Sequence, residues 1–223
     1  MKKSYYLKSI TGSIIFFLVI FIAAGKLNYP PGIIYTGIGI LMMILSFTVF
    51  RLDDELLQER AKPAENTQKW DKTILGLSSL AILAIYIIGG LDSGRFGWSH
   101  GFPDYSMIFG GILTAVGQLI FLIAQKQNRF FSSTVRIQNE RGHNVCQSGL
   151  YRIVRHPAYA GSIIQTAGFP LLFRSVWVVI PCLLLIVLFI IRTQLEDKFL
   201  TSELNGYQVY SEKTRFKLLP FIW

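Results

Sequence analysis

Residues 31–50 read PGIIYTGIGILMMILSFTVF, twenty positions with no charged side chain. A run of roughly 17–25 apolar residues is what an α-helix needs to cross a hydrocarbon core about 30 Å thick. Five further stretches have the same character: Leu7–Gly25, Thr73–Gly90, Ser106–Gln125, Pro157–Phe173 and Ser175–Ile191. Over the 223 residues, 52% are hydrophobic, 16% are charged and the mean hydropathy is +0.44, a balance foreign to soluble domains. The expected fold is all-α: a polytopic transmembrane helical bundle of about six spans, with a cytoplasmic loop and C-terminal tail forming a pocket.

Outward from these runs, the charges fix an orientation. With six spans, all but three of the 22 Lys and Arg fall on the side that holds both termini, the exceptions being Lys26, Arg95 and Arg174. Basic residues gather in cytoplasmic loops, so both termini are expected in the cytoplasm. The net charge of +9 then reflects topology and contact with anionic lipid headgroups, not nucleic acid. Lys2, Lys3 and Lys8 precede the first run in the manner of a signal peptide, but a second span follows within a few residues, so a retained helix is expected. The implied location is the plasma (inner) membrane, as a multi-pass protein. Cys146 and Cys182 form no CxxC, and His100, His143 and His156 stand far apart, so neither a disulfide nor a metal site is expected.

The connections differ in kind. KLNYPPG (26–32) breaks one helix and starts the next. The segment after Phe50 is charged in both signs, and its first part is expected to extend the second helix as far as Pro63. GLDSGRFGWSHGFPDY (90–105) suits an ordered turn with Trp98 and Tyr105 at headgroup level. The longest connection, Lys126 to Arg155, mixes aromatic, basic and turn residues, and long unpatterned loops of this kind are usually functional. Residues 1–125 are thus read as four N-terminal transmembrane helices and 126–223 as the core that holds the candidate site, all within one integrated domain.

Beside the fifth run lies YRIVRHPAYAG (151–161). Pro157 suits a first helical turn, and Arg155 and His156 precede that N-terminus, where free N–H groups favour an anion. The sixth helix is expected to continue through Leu200, carrying Glu196 and Asp197 to the same membrane face. Gly206 then breaks the chain, and Tyr207 and Tyr210 share one face of a short amphipathic piece that ends in the apolar anchor LLPFIW. Singly, these residues have bland readings: snorkelling arginines, belt tyrosines, an acid pairing with Arg192 on its own helix. Together they make a polar group suited to an amphoteric ligand.

RHPAYAG (155–161) resembles the Arg-His-Pro-x-Tyr-x-Gly motif of the isoprenylcysteine carboxyl methyltransferase family and its prokaryotic relatives. The resemblance extends upstream through GHNVCQSGLYRIV (142–154) and downstream through LEDKFLTSELNGYQVYSEKTRFKLLP (195–220), with weaker echoes in ERAKPAENTQKWDK (59–72) and GLDSGRFGWS (90–99). It implies a membrane-embedded methyltransferase that uses S-adenosyl-L-methionine. It also implies a cofactor pocket made by His143, Val145, Gly149, Tyr151, His156, Tyr159, Glu196, Tyr207, Tyr210 and Arg215. Arg155 and Glu196 are the candidate catalytic residues, Arg155 holding either the acceptor or the cofactor carboxylate. Asp197 stands where the family usually has a second Glu, and Leu150 where Pro is frequent. The implied partner is a lipophilic or prenylated acceptor that enters from the bilayer, while the cofactor arrives from the cytoplasm. Membrane sterol reductases, which use NADPH, resemble the same region, but they carry Asn and Trp where this chain has Ala158 and Tyr207. A transporter or scaffold is disfavoured because no span has a charge at its centre.

Overall fold

The computed structural model describes residues 2–61 and 67–223, with side chains described for 11–60 and 67–223. Lys62 and Pro63, and the side chains of Lys2, Lys3 and Lys8, lie outside the described residues. The chain forms α1 (Lys2–Ala24), α2 (Pro30–Thr48), α3 (Asp54–Ala61), α4 (Lys69–Gly89), α5 (Asp104–Gln127), α6 (Pro157–Leu172), α7 (Val179–Glu203) and α8 (Tyr207–Lys213). No strand occurs among the described residues. Helices cover all six apolar runs, and among the described residues four helices are long and apolar enough to cross a membrane: α2, α4 with its continuation to Phe96, α5 and α7. The apolar described part of α1, Thr11–Ala24, and the 16-residue α6 are shorter. At 1.5 Å per residue, α6 reaches only about 24 Å.

Local chemistry explains the boundaries. Gly25, at φ +69°, stops α1, and the Pro30–Pro31 pair opens α2 where missing N–H groups cost nothing. The expected extension of α2 into the cytoplasm does not occur. Arg51 takes φ +43° and turns the chain, so that α3 is a separate helix with Leu56 and Leu57 buried. At its far end α4 widens into a π-helical stretch, Gly90–Phe96, closed by Gly97 at φ +64°. Trp98 and Tyr105 beyond it are exposed. The sixth run starts as a turn at Arg174 (φ +52°), and helix α7 begins only at Val179. It then continues to Glu203, past the expected Leu200.

Packing is densest where α5 and α6 run antiparallel. A Cβ on Gly110 would lie 2.2 Å from the Leu172 nitrogen, and one on Gly117 would lie 2.4 Å from the Gly161 carbonyl oxygen. Gly168 meets the Gly110 carbonyl in the same way, at 2.7 Å. The two backbones therefore touch along a glycine seam, the close approach that small residues allow in apolar surroundings. Ile20, Tyr35, Tyr86, Phe169, Phe173 and Leu185 form the core beside it, and the hydroxyls of Tyr35 and Tyr86 bond to each other. This rigid α5–α6 pair carries the start of α6 to one end of the bundle, facing the C-terminal half of α7.

Candidate active site

At that end a chamber of about 340 Å³ opens between the 128–146 loop, the start of α6, α7 and α8. Its position depends on how the intervening segments are tied. Gly149, at φ +57°, leaves room for the Gln127 amide, whose oxygen accepts from the Leu150 N–H at 2.8 Å. The 3₁₀ turn Gly149–Arg152 then presents Tyr151, whose hydroxyl donates to the Ala124 carbonyl at 3.3 Å. Arg155 and His156 donate their backbone N–H groups to the carbonyls of Phe216 and Lys217, which clips the tail to the helix start.

The centre of the arrangement is Asp197. Arg155 grips its carboxylate from two nitrogens, at 2.7 and 2.9 Å, and the Tyr207 hydroxyl donates to it at 2.9 Å. His156 Nε2 lies 3.3 Å from the same group and Lys217 Nζ 3.5 Å. The remaining Arg155 nitrogen donates to the carbonyls of Thr214 and Arg215, at 2.8 and 2.9 Å. Arg155 therefore does not offer a free fork to a ligand, contrary to the sequence expectation: its donors are already spent on Asp197 and the tail. Burial and the adjacent Asp197 push the Tyr207 hydroxyl pKa up, so it remains a donor. Tyr210 is also raised, chiefly by burial, and its hydroxyl donates to the Tyr151 carbonyl at 2.7 Å.

A second buried ion pair holds the loop side. Asp71, fully buried in the first turn of α4, receives Arg192 at 2.8 and 3.3 Å and the Val135 N–H at 2.8 Å. Arg192 also donates to the Ser133 carbonyl at 3.1 Å and lies 5.3 Å from the Tyr159 ring centre. Arg192 does not pair with the acids of its own helix, which frees Glu196. That carboxylate accepts from the Tyr159 hydroxyl through one oxygen, while its other oxygen has no hydrogen-bond partner among the described residues.

Nine of the residues singled out in the sequence line the chamber: His143, Val145, Tyr151, Arg155, His156, Tyr159, Glu196, Tyr207 and Tyr210. Gly149 and Arg215 do not. Gly149 acts through its backbone turn, and Arg215 is exposed, contributing only its carbonyl to Arg155. Sequence reasoning missed Asp71, Arg192 and Arg60. Their signal was faint: Arg192 is a single charge at the end of an apolar run, and Arg60 and Asp71 sit among the mixed charges of 51–72, where nothing singles them out.

Arg60, from α3, also lines the chamber, with its guanidinium carbon 5.2 Å from the Phe131 ring centre and 6.0 Å from that of Phe121. It makes no ion pair to a described residue, and its buried Nε lacks a hydrogen-bond partner. His143 stacks on Phe130 at 4.6 Å, and its Nδ1 accepts from the Gln138 N–H at 3.3 Å, leaving Nε2 as the donor. Burial, aided by Arg136 and Arg141, pulls the His143 pKa down to about 4. Among the described residues the chamber thus combines a carboxylate with an open oxygen, a guanidinium without an ion pair, a neutral imidazole and aromatic walls.

The isoprenylcysteine carboxyl methyltransferase (ICMT) family model matches residues 101–202, which contain α5, α6 and most of α7. Across this stretch the chain is ICMT-like. A probable protein-S-isoprenylcysteine O-methyltransferase of Oryza sativa (the same figures hold in subspecies indica and japonica) is 27% identical over 116 residues. That alignment covers 51% of this chain and 60% of the rice protein. Protein-S-isoprenylcysteine O-methyltransferase A of Arabidopsis thaliana is 36% identical over 61 residues, 27% of this chain and 31% of that protein. The ICMT-like stretch carries Asp197, Glu196, Arg155 and His143, whereas Asp71 and Arg60 lie before it and Tyr207 and Tyr210 after it.

Proposed function

We propose that this membrane protein is an S-adenosyl-L-methionine-dependent methyltransferase acting on a heteroatom of a lipophilic acceptor, with the chamber beside Asp197 as its active site. The observation that carries the reading is the pairing, in one aromatic-walled chamber, of an open Glu196 oxygen with an Arg60 guanidinium that has no ion pair among the described residues. Such a dipolar lining fits a ligand with an ammonium, a carboxylate and a flat base, and the volume falls within the usual range for small ligands. The relatives' names, protein-S-isoprenylcysteine O-methyltransferases, support a prenylated cysteine as the acceptor. The basic residues gathered on the side that holds both termini support a multi-pass protein of the plasma (inner) membrane with the chamber on the cytoplasmic face. Residues 126–223 would supply most of the site, with Arg60, Leu75 and Phe121 added from the N-terminal half.

S-Adenosylmethionine supplies a methyl group already activated by its sulfonium. The protein's part is therefore orientation and exclusion of water. Glu196 accepts from an ammonium or a ribose hydroxyl, with Tyr159 fixing its rotamer. Arg60 holds a carboxylate, of cofactor or acceptor, through donors that no described residue uses. His143 stays neutral at physiological pH and adds no charge against a cationic ligand. Arg155 works one step removed: through Asp197 it fixes Tyr207 and the tail, so it is a positioning residue. A carboxylate acceptor arrives ionised and needs no base, whereas a thiol or amine would call on Glu196.

The test is the thermal stability of the detergent-purified protein with S-adenosylmethionine, S-adenosylhomocysteine or NADPH. At about 100 times its dissociation constant a ligand stabilises by ~2.7 kcal/mol, a readable shift. Shifts with the two sulfur ligands are expected. A shift with NADPH alone would replace the methyltransferase by a reductase.

A further inference from the structure

A second cavity, of about 410 Å³, lies among α1, α2, α3, α5 and α6. Phe121 lines both, so one ring stands between them. Most of its lining is apolar and adaptable, with Phe16, Phe17, Met42 and Met43 on the N-terminal helices. Three amide side chains interrupt this surface: Gln118 and Gln125 on α5, one above the other at a seven-residue spacing, and Gln165 on α6. Gln125 is only 5% exposed. Gln118 and Gln165 are only part-buried, and none of the three amides makes a side-chain hydrogen bond to a described residue, whereas a buried amide such as that of Gln125 ordinarily finds a partner. None of the cavity's lining residues carries a charge.

From this geometry we infer a second ligand site, for a lipid whose apolar body bears an uncharged oxygen function, a carbonyl or a hydroxyl. An amide offers one acceptor oxygen and two N–H donors, which complement such a group. A charged head would be buried here without a counterion, and a plain hydrocarbon would leave the amides unsatisfied. The requirement distinguishes this site from the dipolar chamber across Phe121, and it holds whether or not that chamber transfers methyl groups.

Thermal shifts of the full-length protein in detergent would be measured with decylubiquinone, decylbenzene and decanoate at equal concentration. The three share a ten-carbon chain and differ in having neutral oxygens, none, or a charge. Stabilisation by decylubiquinone alone is expected, with apparent affinity at least tenfold weaker in Gln125→Leu and weaker in Gln165→Leu. Equal shifts with all three probes, no shift with any, or a quinone shift unmoved by both substitutions would overturn the proposal. Should Gln125→Leu fail to fold, Gln118→Leu and Gln165→Leu carry the comparison. S-Adenosylhomocysteine, added in parallel, should shift the wild type and the glutamine variants alike. Loss of its shift with the quinone shift intact counts against the methyltransferase reading and not against this site.

Discussion

The two ends of the bundle both bury a carboxylate, and they do so by opposite means. At one end Asp92, fully buried in the π-helical stretch, is met by neutral donors: the Ser99 N–H at 2.7 Å, the Ser99 hydroxyl at 2.5 Å and the Ser175 hydroxyl. Tyr29 donates to the Gly89 carbonyl beside it, at 3.0 Å. That end is a closed knot, tying the loop after α4 to the turn between α6 and α7. At the other end Asp71 and Asp197 are met by Arg192 and Arg155, and a chamber remains between the two pairs. Satisfied hydroxyls make a latch. Paired arginines around an open Glu196 oxygen and an Arg60 with no ion pair to a described residue make a place for something else.

Three experiments would break or sharpen that contrast. The largest effect is expected at the ion pairs. Asp71→Ala leaves Arg192 charged and buried without its partner, which costs roughly 3–5 kcal/mol, against about 1.5–3 kcal/mol for the hydrogen bonds removed by Asp92→Ala. Denaturation midpoints of the two variants measure this. Ligand titration adds the decisive difference: Asp92→Ala should keep wild-type affinity for S-adenosylhomocysteine, and Asp71→Ala should lose it. If both variants lose affinity together, the two ends do not have separate roles.

Glu196→Gln comes next. It keeps the shape and a bond to Tyr159 while removing the charge, so the ligand-free midpoint should stay near wild type. A charge-assisted hydrogen bond contributes roughly 1.5–3 kcal/mol, so S-adenosylhomocysteine should bind about ten- to a hundredfold more weakly. Unchanged binding in a calorimetric titration would remove Glu196 from the site.

The smallest effect concerns pH. The His143 pKa falls from 6.5 to about 4 on folding, so between those values the unfolded chain binds more protons than the folded one. Stability contributed by this group is complete above about 6.5 and is lost as pH falls toward 4. Solvent reaching the half-buried ring reduces the size of the effect. The midpoint should therefore drop between pH 7 and 5, and drop less in His143→Gln. Equal slopes in the two proteins would mean that another group titrates.

Much of the fold was legible in the order of residues. Twenty uncharged positions before Arg51 have to be helix, because an apolar medium offers the backbone no other partners. Gly25, Pro31, Pro157 and Gly206 mark boundaries through φ and missing donors, which are local properties. The break between α2 and α3 was not legible, since the pull came from burying Leu56 and Leu57 against distant helices. Nine lining residues could be named from motifs, but not what each one touches. Arg155 reads as a free fork until Asp197, 42 positions later, occupies it. Arg192 reads as a neighbour of Glu196 until Asp71, 121 positions earlier, takes it away. Periodicity and composition decide helix and membrane from the sequence alone. Which charge neutralises which depends on distances of a few ångströms between remote segments, and only the packed bundle sets those.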